Sequence, residues 1–472
     1  MISAAGATAV SSLVCSRRGP GANDTIRVAV IGFNSKGAQH IEVFHNLEGV
    51  QVVALCDVDK DILAREAQKF SDRQEKVDTY TDARYVLDDK NIDVVAIATP
   101  NHWHSLLAIW ACQAGKDIYV EKPISHNIFE GRKLIEATRK YHRIVQSGTQ
   151  NRSDVGLLAA EKYIREGNLG AVEWAHGLWY KFRPSIGKVN GPQEIPPQID
   201  YDLWTGPARL EPLMRINLHY DWHWKWDTGN GDMGNLGVHQ IDDCRWLAGH
   251  KTWPKRVLSV GGRFGYVDDG ETPNTNLAIF DYESAPIFIE IRTLPAKTGV
   301  RSMDHLHGVR AGNIIKCEQG YFAGGRGGGW VYDLDWKKIK QFPGDGGGDH
   351  QANFIAAVRS RQESDLRANV SEGHLSSGLC HIANISYRLG SRKNVEEVAG
   401  SVEKYEEAME TVKRLQSHLA ANEVDLQAKP LVLGPWLEFD AENEKFTGDM
   451  NYEANMFLSR NYRAPFVVSE KV

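Results

Sequence analysis

The sequence predicts an α/β protein: an N-terminal doubly wound parallel sheet, then an α+β domain built on a large, open, mainly antiparallel sheet. Three observations predict it. Residues 26–57, IRVAVIGFNSKGAQHIEVFHNLEGVQVVALCD, run through an apolar stretch, a glycine-bounded turn, helical spacing, a second apolar stretch and a terminal acid. Continuous apolar runs then alternate with helical spacing as far as Gly148, as expected of strands buried on both faces of a parallel sheet. From about Thr149 the runs alternate in polarity and are rich in β-branched and aromatic residues, the pattern of antiparallel strands.

A chain of 472 residues exceeds one hydrophobic core and divides into at least two domains. The expected parts are an N-terminal arm (1–25), the parallel-sheet domain (26–149), the second sheet domain (150–394) and a C-terminal helix with an extended arm (395–472). A net charge of −6 gives no basic footprint for nucleic acid. No window reaches the ~18 uncharged apolar residues of a membrane span. Cys15, Cys56, Cys112, Cys244, Cys317 and Cys380 form no CxxC pair and have no metal-like spacing with histidine, so they read as buried free thiols. Residues 1–25 are small and apolar, then basic, like the end of an export signal without its leading basic region. A twin-arginine signal shortened by alternative initiation and a floppy cytoplasmic arm both explain this. The expectation leans to export, into a periplasm for example.

In order, helical spacing covers 59–70, a short strand and helix cover 79–89, and Val94–Ala98 is a buried strand. A helix over Trp103–Gly115 leads into the strand DIYVEKP, which ends in Glu121-Lys122-Pro123. A helix at Ile128–Tyr141 and a strand at Arg143–Gly148 complete the alternation. Ligands bind at the carboxyl ends of such strands, so Gly32, Thr99-Pro100-Asn101 and Glu121-Lys122-Pro123 share one crevice. In the second domain a helix is expected at Val155–Arg165. Strands are expected within 171–182 and at Val257–Val260, Leu277–Tyr282 and Ile287–Arg292. Gly324–Gly329 and Gly344–His350 read as surface loops or lids, with phosphate cradles as the second reading. Helices are expected at Asn353–Arg361, Ser371–Leu389 and Val402–Leu419, then an irregular arm.

The first strand, turn and helix suit a Rossmann dinucleotide site, where helix N-terminal amides face a pyrophosphate. Gly32 and Gly37 hold the outer glycine positions of the fingerprint, Asn34 holds the middle one, and Ser35 and Lys36 complete the turn. Asn tolerates positive φ better than most residues, which preserves the turn. Asp57 lies near the ~20-residue spacing of the ribose-binding acid. An acid there disfavours a 2′-phosphate, so the expected cofactor is NAD rather than NADP. Thr99, Pro100, Asn101, His104, Glu121 and Lys122 join these as cofactor candidates.

Glu121-Lys122-Pro123, the segment Thr99–His104, and GNGDMGNLGVHQIDDCRW at 229–246 together resemble the glucose-fructose oxidoreductase and inositol dehydrogenase (Gfo/Idh/MocA) family, over roughly residues 26–390. The resemblance implies a nicotinamide cofactor in the Rossmann domain, a covering open sheet, and substrates that are mostly sugars and cyclitols. It sets Lys122 beside the substrate hydroxyl and Glu121 against the cofactor. In the family's second motif a helical histidine comes four residues after an aspartate. His239 matches, but Asn235 stands at the aspartate position. Oxidising a secondary alcohol requires a base for the hydroxyl proton, which suits His239, and stabilisation of alkoxide charge, which suits Lys122. On a regular helix residue 235 shares a face with His239. Asn235 can orient the imidazole but supplies no charge. Either Lys122 takes more of the acid-base work, or Asp232, Asp242 or Asp243 compensates.

Trp222, Trp224 and Trp226 alternate and would share one strand face, lining a sugar site or forming a core stripe. His219, His223, Asp221 and Asp227 fit no strong metal pattern, and no metal is expected. Arg183-Pro184-Ser185 and Tyr201–Trp204 look like family loops on the substrate side. Substrate candidates are therefore Lys122, Arg183, Trp222, Trp224, Asn235 and His239. The function expected is NAD-dependent oxidation or reduction at a secondary hydroxyl of a sugar, glycoside or cyclitol, with the cofactor retained if the protein is exported. Alternatives are NAD-dependent glycoside cleavage through transient oxidation and elimination, and a non-catalytic NAD- or sugar-sensing module. An open sheet commonly packs on another subunit, so a homo-oligomer, dimer or tetramer, is expected.

Overall fold

The computed structural model describes residues 25–472. Cys15 and the export-like stretch lie outside the described residues. Six strands, β1 (Ile26–Ile31), β2 (Val50–Cys56), β3 (Asp78–Tyr80), β4 (Val94–Ile97), β5 (Asp117–Val120) and β6 (Val145–Ser147), pair in the order 3-2-1-4-5-6. Every pair is parallel. Val28, Val30, Leu55 and Val94 pack on one face with Phe44, Phe70 and Phe354, while Ala29, Ile31, Val95 and Ile97 pack on the other with Leu106 and Ile109. Both faces are covered, which is why the apolar runs are continuous. Strand order reverses between β1 and β4, and the crevice opens at their carboxyl ends.

The second sheet contains β7 (Val172–Tyr180), β8 (Arg256–Gly262), β9 (Thr275–Asp281), β10 (Ile287–Arg292), β11 (Ala311–Cys317), β12 (Gly320–Gly325), β13 (Gly328–Tyr332) and β14 (Lys338–Pro343), in the order 14-13-12-11-7-10-9-8. Its pairs are antiparallel except β7 with β10. Ala175, Ile287, Ile289 and Ile315 face helices Val155–Arg165, Val238–Leu247 and Val370–Arg388. On the opposite face Val260, Leu277, Ile279 and Phe288 are covered by Val398, Val402, Val412, Leu415 and Leu419. The amphipathic C-terminal helix thus lies on the sheet's outer face. The C-terminal region is not wholly irregular, because β15 (Ser391–Lys393), β16 (Leu431–Leu433), β17 (Leu437–Asp440) and β18 (Lys445–Thr447) extend the sheet beyond β8.

Two expectations need correction. Trp222 and Trp224 lie in a 3₁₀ turn, Asp221–Trp224, so the three alternating tryptophans do not share a strand face. Gly324–Gly329 is a β-hairpin rather than a loop: Gly324 pairs with Gly329 and Gly325 with Gly328. Glycine is needed there because three strands crowd together; a Cβ on Gly328 would lie 1.9 Å from the Phe342 carbonyl oxygen.

Candidate active site

A crevice of about 510 Å³ runs from the carboxyl ends of β1 and β2 to the inner side of the second sheet. Its size suits a small-molecule ligand. At one end the turn after β1 lies flat against β4. Gly32 has φ +78°, and a Cβ there would sit 2.9 Å from Thr99 Cα. On Gly37 a Cβ would meet the Gly32 carbonyl oxygen at 2.0 Å. Only glycine lets helix Lys36–His45 start this close to the strand, with its first-turn amides at the crevice. Asn34 is not among the positive-φ residues, so tolerance of that conformation is not what preserves the turn. The Ser35 side chain makes no capping bond. Asp57 ends β2 with its carboxylate accepting from the amides of Phe33 and Asp59, both at 3.0 Å. Burial pushes its pKa up, and the two amides oppose that. Each oxygen keeps a further lone pair, so this end fits a pyrophosphate at the turn and a ribose hydroxyl at Asp57.

Deeper in, Lys122 Nζ donates to the Asn235 backbone carbonyl at 2.5 Å. Asn235 lies in a single π-turn, Met233–Gly237, that leads into the helix carrying His239. The wider turn breaks the expected one-face relationship, and the Asn235 amide makes no hydrogen bond to the imidazole. Asn235 therefore reaches the reacting region through its backbone. His239 lines the crevice, and its Nδ1 is buried without a hydrogen-bond partner. Burial, reinforced by the Lys122 charge, pushes its pKa down to about 3, so the ring is neutral near pH 7. Burial also lowers Lys122 from the ordinary lysine value, aided by Lys36 and Arg183 and opposed by Glu121. Burial disfavours the Glu121 carboxylate, yet a bond from His40 Nε2 at 2.9 Å, with the His40, Lys36 and Lys122 charges, holds its pKa below the carboxylate range; Gln150 Nε2 donates to the same oxygen at 3.0 Å.

Several candidates are already committed elsewhere. His104 has both ring nitrogens against backbone carbonyls, of Pro123 at 2.6 Å and Thr99 at 2.7 Å. It braces the segments after β4 and β5 instead of offering a nitrogen to a cofactor. Of the three aspartates, Asp242 acts on His239 through space, opposing its burial. Asp242 is held by Arg152 at 2.8 Å and Ser376 at 2.6 Å, Asp243 by Asn151 at 2.8 Å and Asn313 at 3.0 Å, and Asp232 takes the Trp224 indole at 3.1 Å. None of the three bonds to His239.

On the substrate side Arg183 stacks over Tyr220 and Trp224, 5.8 Å from each ring centre, with a buried Nε that lacks a hydrogen-bond partner. Trp222 lines the crevice and stacks on His223 at 3.6 Å; Trp224 is buried behind Arg183. Trp226 lies elsewhere, 5.1 Å from the Arg388 guanidinium. Pro100, Asn101, Leu203 and Trp204 also line the crevice. Among the described residues no group of three or more His, Cys, Asp or Glu side chains is placed to hold a metal. Sequence reasoning missed Gln150, Lys181 and Arg326, all on the crevice wall. Gln150 comes just after β6 as Lys122 comes just after β5, which was a usable signal. Arg326 is the one side chain larger than hydrogen inside a glycine run.

Residues 26–149 match the model of the oxidoreductase family with an NAD-binding Rossmann fold (GFO_IDH_MocA), and residues 161–261 match that family's C-terminal α/β domain. The chain is 30% identical over 174 residues to inositol 2-dehydrogenase from Salmonella typhimurium, covering 36% of this chain and 50% of that protein. It is 31% identical over 162 residues to a glycosyl hydrolase family 109 protein from a Shewanella species, covering 33% of this chain and 34% of that one. The chain thus spans about half the length of the first relative and about a third of the second. The WlbA dehydrogenase of Bordetella pertussis, solved with NADH and UDP-GlcNAcA, shares the fold with a TM-score of 0.57 at 19% identity, over 77% of this chain and 97% of that one.

Proposed function

The chain belongs to the Gfo/Idh/MocA oxidoreductase family, and from that premise we propose that it is an NAD-dependent dehydrogenase acting on a secondary hydroxyl of a sugar, glycoside or cyclitol. One observation carries the reading. Lys122 and a neutral, unpartnered His239 stand on the same crevice as the dinucleotide turn. NAD, when bound at the Gly32–Gly37 turn and Asp57, supplies the hydride acceptor. The chain's own residues manage the proton. His239 takes it from the substrate hydroxyl, and the Lys122 ammonium stabilises the charge developing on that oxygen. With no carboxylate on His239, Lys122 has the larger electrostatic share. Asn235 fixes Lys122 through its carbonyl, and Glu121, bound by His40 and Gln150, keeps an anion beside that lysine. Arg183 and Trp222 offer a donor and an aromatic face to the sugar.

Supplying NAD and a panel of sugars, glycosides and cyclitols tests this: reduced nicotinamide accumulates with one class. A second reading is supported by the similarity to the family 109 glycosidase. Transient oxidation, elimination of the aglycone, addition of water and return of the hydride from the nicotinamide would release an aglycone with no net reduced nicotinamide, so measuring both products separates the two. A homo-oligomer belongs to the same proposal, since Leu306, Tyr321 and Trp336 form a half-buried apolar cluster on the sheet face beside the C-terminal helix. Light scattering that finds only monomer would remove it.

A further inference from the structure

The substrate half of the crevice carries several cations. Lys181 ends β7 and Arg326 caps the hairpin between β12 and β13; both line the crevice, and neither joins an ion pair among the described residues. Arg183, near Lys181, is ion-paired with the buried Asp232 at 3.8 Å through a Nε that has no hydrogen-bond partner. The carboxylates on the crevice wall are committed: Asp57 to two amides, Asp82 to Arg84, and Glu121 to His40 and Gln150.

The position of Arg326 is built. Asp154, fully buried, accepts from the amides of Gly327 at 2.9 Å and Gly346 at 2.6 Å, and from Leu157 at 2.9 Å at the start of its own helix. Arg326 Nε donates to the Gly346 carbonyl at 3.0 Å, which leaves both terminal nitrogens of the guanidinium unpaired. The charge is felt at the reacting centre, since Arg326 is among the causes that lower His239, and Arg183 among those that lower Lys122. A pyrophosphate already has the amides of the Gly32–Gly37 turn.

We propose that the substrate is an acidic sugar derivative whose anionic group is bound by Arg326 and Lys181, with Arg183 alongside, while Lys122 and His239 act on its hydroxyl. This rests on the dehydrogenase reading above. A guanidinium fork and an ammonium, both exposed at the crevice wall, match a carboxylate or a phosphate ester, and such an anion relieves the repulsion between Lys181 and Arg183.

The test uses the NAD-supplied full chain and matched sets: D-glucose, D-glucuronate and D-glucose 6-phosphate, with the galactose counterparts. An acidic member should exceed its neutral partner in kcat/KM by about 10-fold or more. Arg326→Gln should raise the KM of that acidic member about 10- to 100-fold, the loss expected for a hydrogen bond to a charged group, while leaving NAD affinity unchanged. Arg326→Lys should recover part of the loss. Preference for the uronate identifies a carboxylate substrate, and preference for the phosphate a phosphorylated one. Calorimetric titration of the NAD-loaded protein keeps the two readings apart. Acidic sugars that bind without turnover sink the dehydrogenase reading and leave the anion site standing. Neutral sugars binding as well as acidic ones, no acidic member binding, or Arg326→Gln weakening NAD instead of sugar, overturns the anion site.

Discussion

Lys122 Nζ donates to the main-chain carbonyl of Asn235 and so joins the end of β5 to a π-turn of the second domain, two segments 113 residues apart in sequence. The bond depends on the backbone at 235, whatever side chain stands there. Lys122→Met is therefore expected to lower kcat by about 10²–10⁴-fold with NAD affinity retained, and Asn235→Ala by less than about 10-fold. Steady-state kinetics beside NAD titrations check both; equal losses from the two variants would assign a chemical role to the Asn235 amide.

The pH profile carries the electrostatics of the site. His239 is held down to about 3, so its proton-accepting form persists well below neutrality and kcat/KM stays level between about pH 5 and 7. Lys122 lies below the ordinary lysine value of 10.5, so loss of its ammonium sets the alkaline limb earlier than a free lysine would. An acid limb near the ordinary histidine pKa that vanishes in His239→Gln would contradict this assignment.

The Rossmann half was legible because each of its signals has a single physical cause. Strands covered on both faces leave unbroken apolar runs, and Gly32 and Gly37 are required by direct contact with Thr99 and with each other's backbone. The second half was legible only in part. The spacing of Trp222 and Trp224 mimics a strand, although the segment closes into a 3₁₀ turn. Hydrophobic periodicity does not report which carbonyl an amide bonds, so the π-turn that separates Asn235 from His239 left no trace. The glycine run at 324–329 resembles a loop because the crowding that demands glycine comes from the hairpin's own two strands and from β11 and β14 on either side, which composition does not report.

Asp57 is the acid positioned for the ribose hydroxyls. Asp57→Ala should weaken NAD binding by about 10-fold or more, the scale of lost hydrogen bonds to a charged acceptor. Fluorescence titration with NADH measures it, and unchanged affinity would remove the cofactor assignment at this residue.

Asp154 bonds two glycine-rich segments and caps a helix at once. Asp154→Ala leaves the Gly327, Gly346 and Leu157 amides without that acceptor, and a loss of about 1–3 kcal/mol is expected. A lower denaturant midpoint, together with faster hydrogen exchange at residues 324–347, is the expected result. A shift in the midpoint alone would mean that the helix cap is the larger part.

Acid should destabilise the fold before it protonates the ordinary carboxylates. Burial holds His102 and His350 down to about 4, and His223, His239 and His381 to about 3. Their folded pKa values lie below the unfolded value of 6.5, so the unfolded chain binds the extra protons and stability falls as pH drops from about 6.5 to 4. Glu130 and Asp243, raised to about 7, act in the opposite sense, but two acids do not offset five imidazoles. Each unbalanced proton removes about 1.4 kcal/mol per pH unit. Thermal melts across that range should show a falling midpoint, whereas a flat or rising one would mean that these rings are not buried in neutral form.

The most direct measurement is the absorbance spectrum of the NAD-supplied protein before and after adding the panel of sugars, glycosides and cyclitols, run in parallel on His239→Ala. A reduced-nicotinamide band is expected with one substrate class in the native chain, and in the variant that band should form at least about 100-fold more slowly although NAD still binds. A band that forms equally fast without His239, or none with any member of the panel, would contradict the assignment of this crevice as a dehydrogenase site.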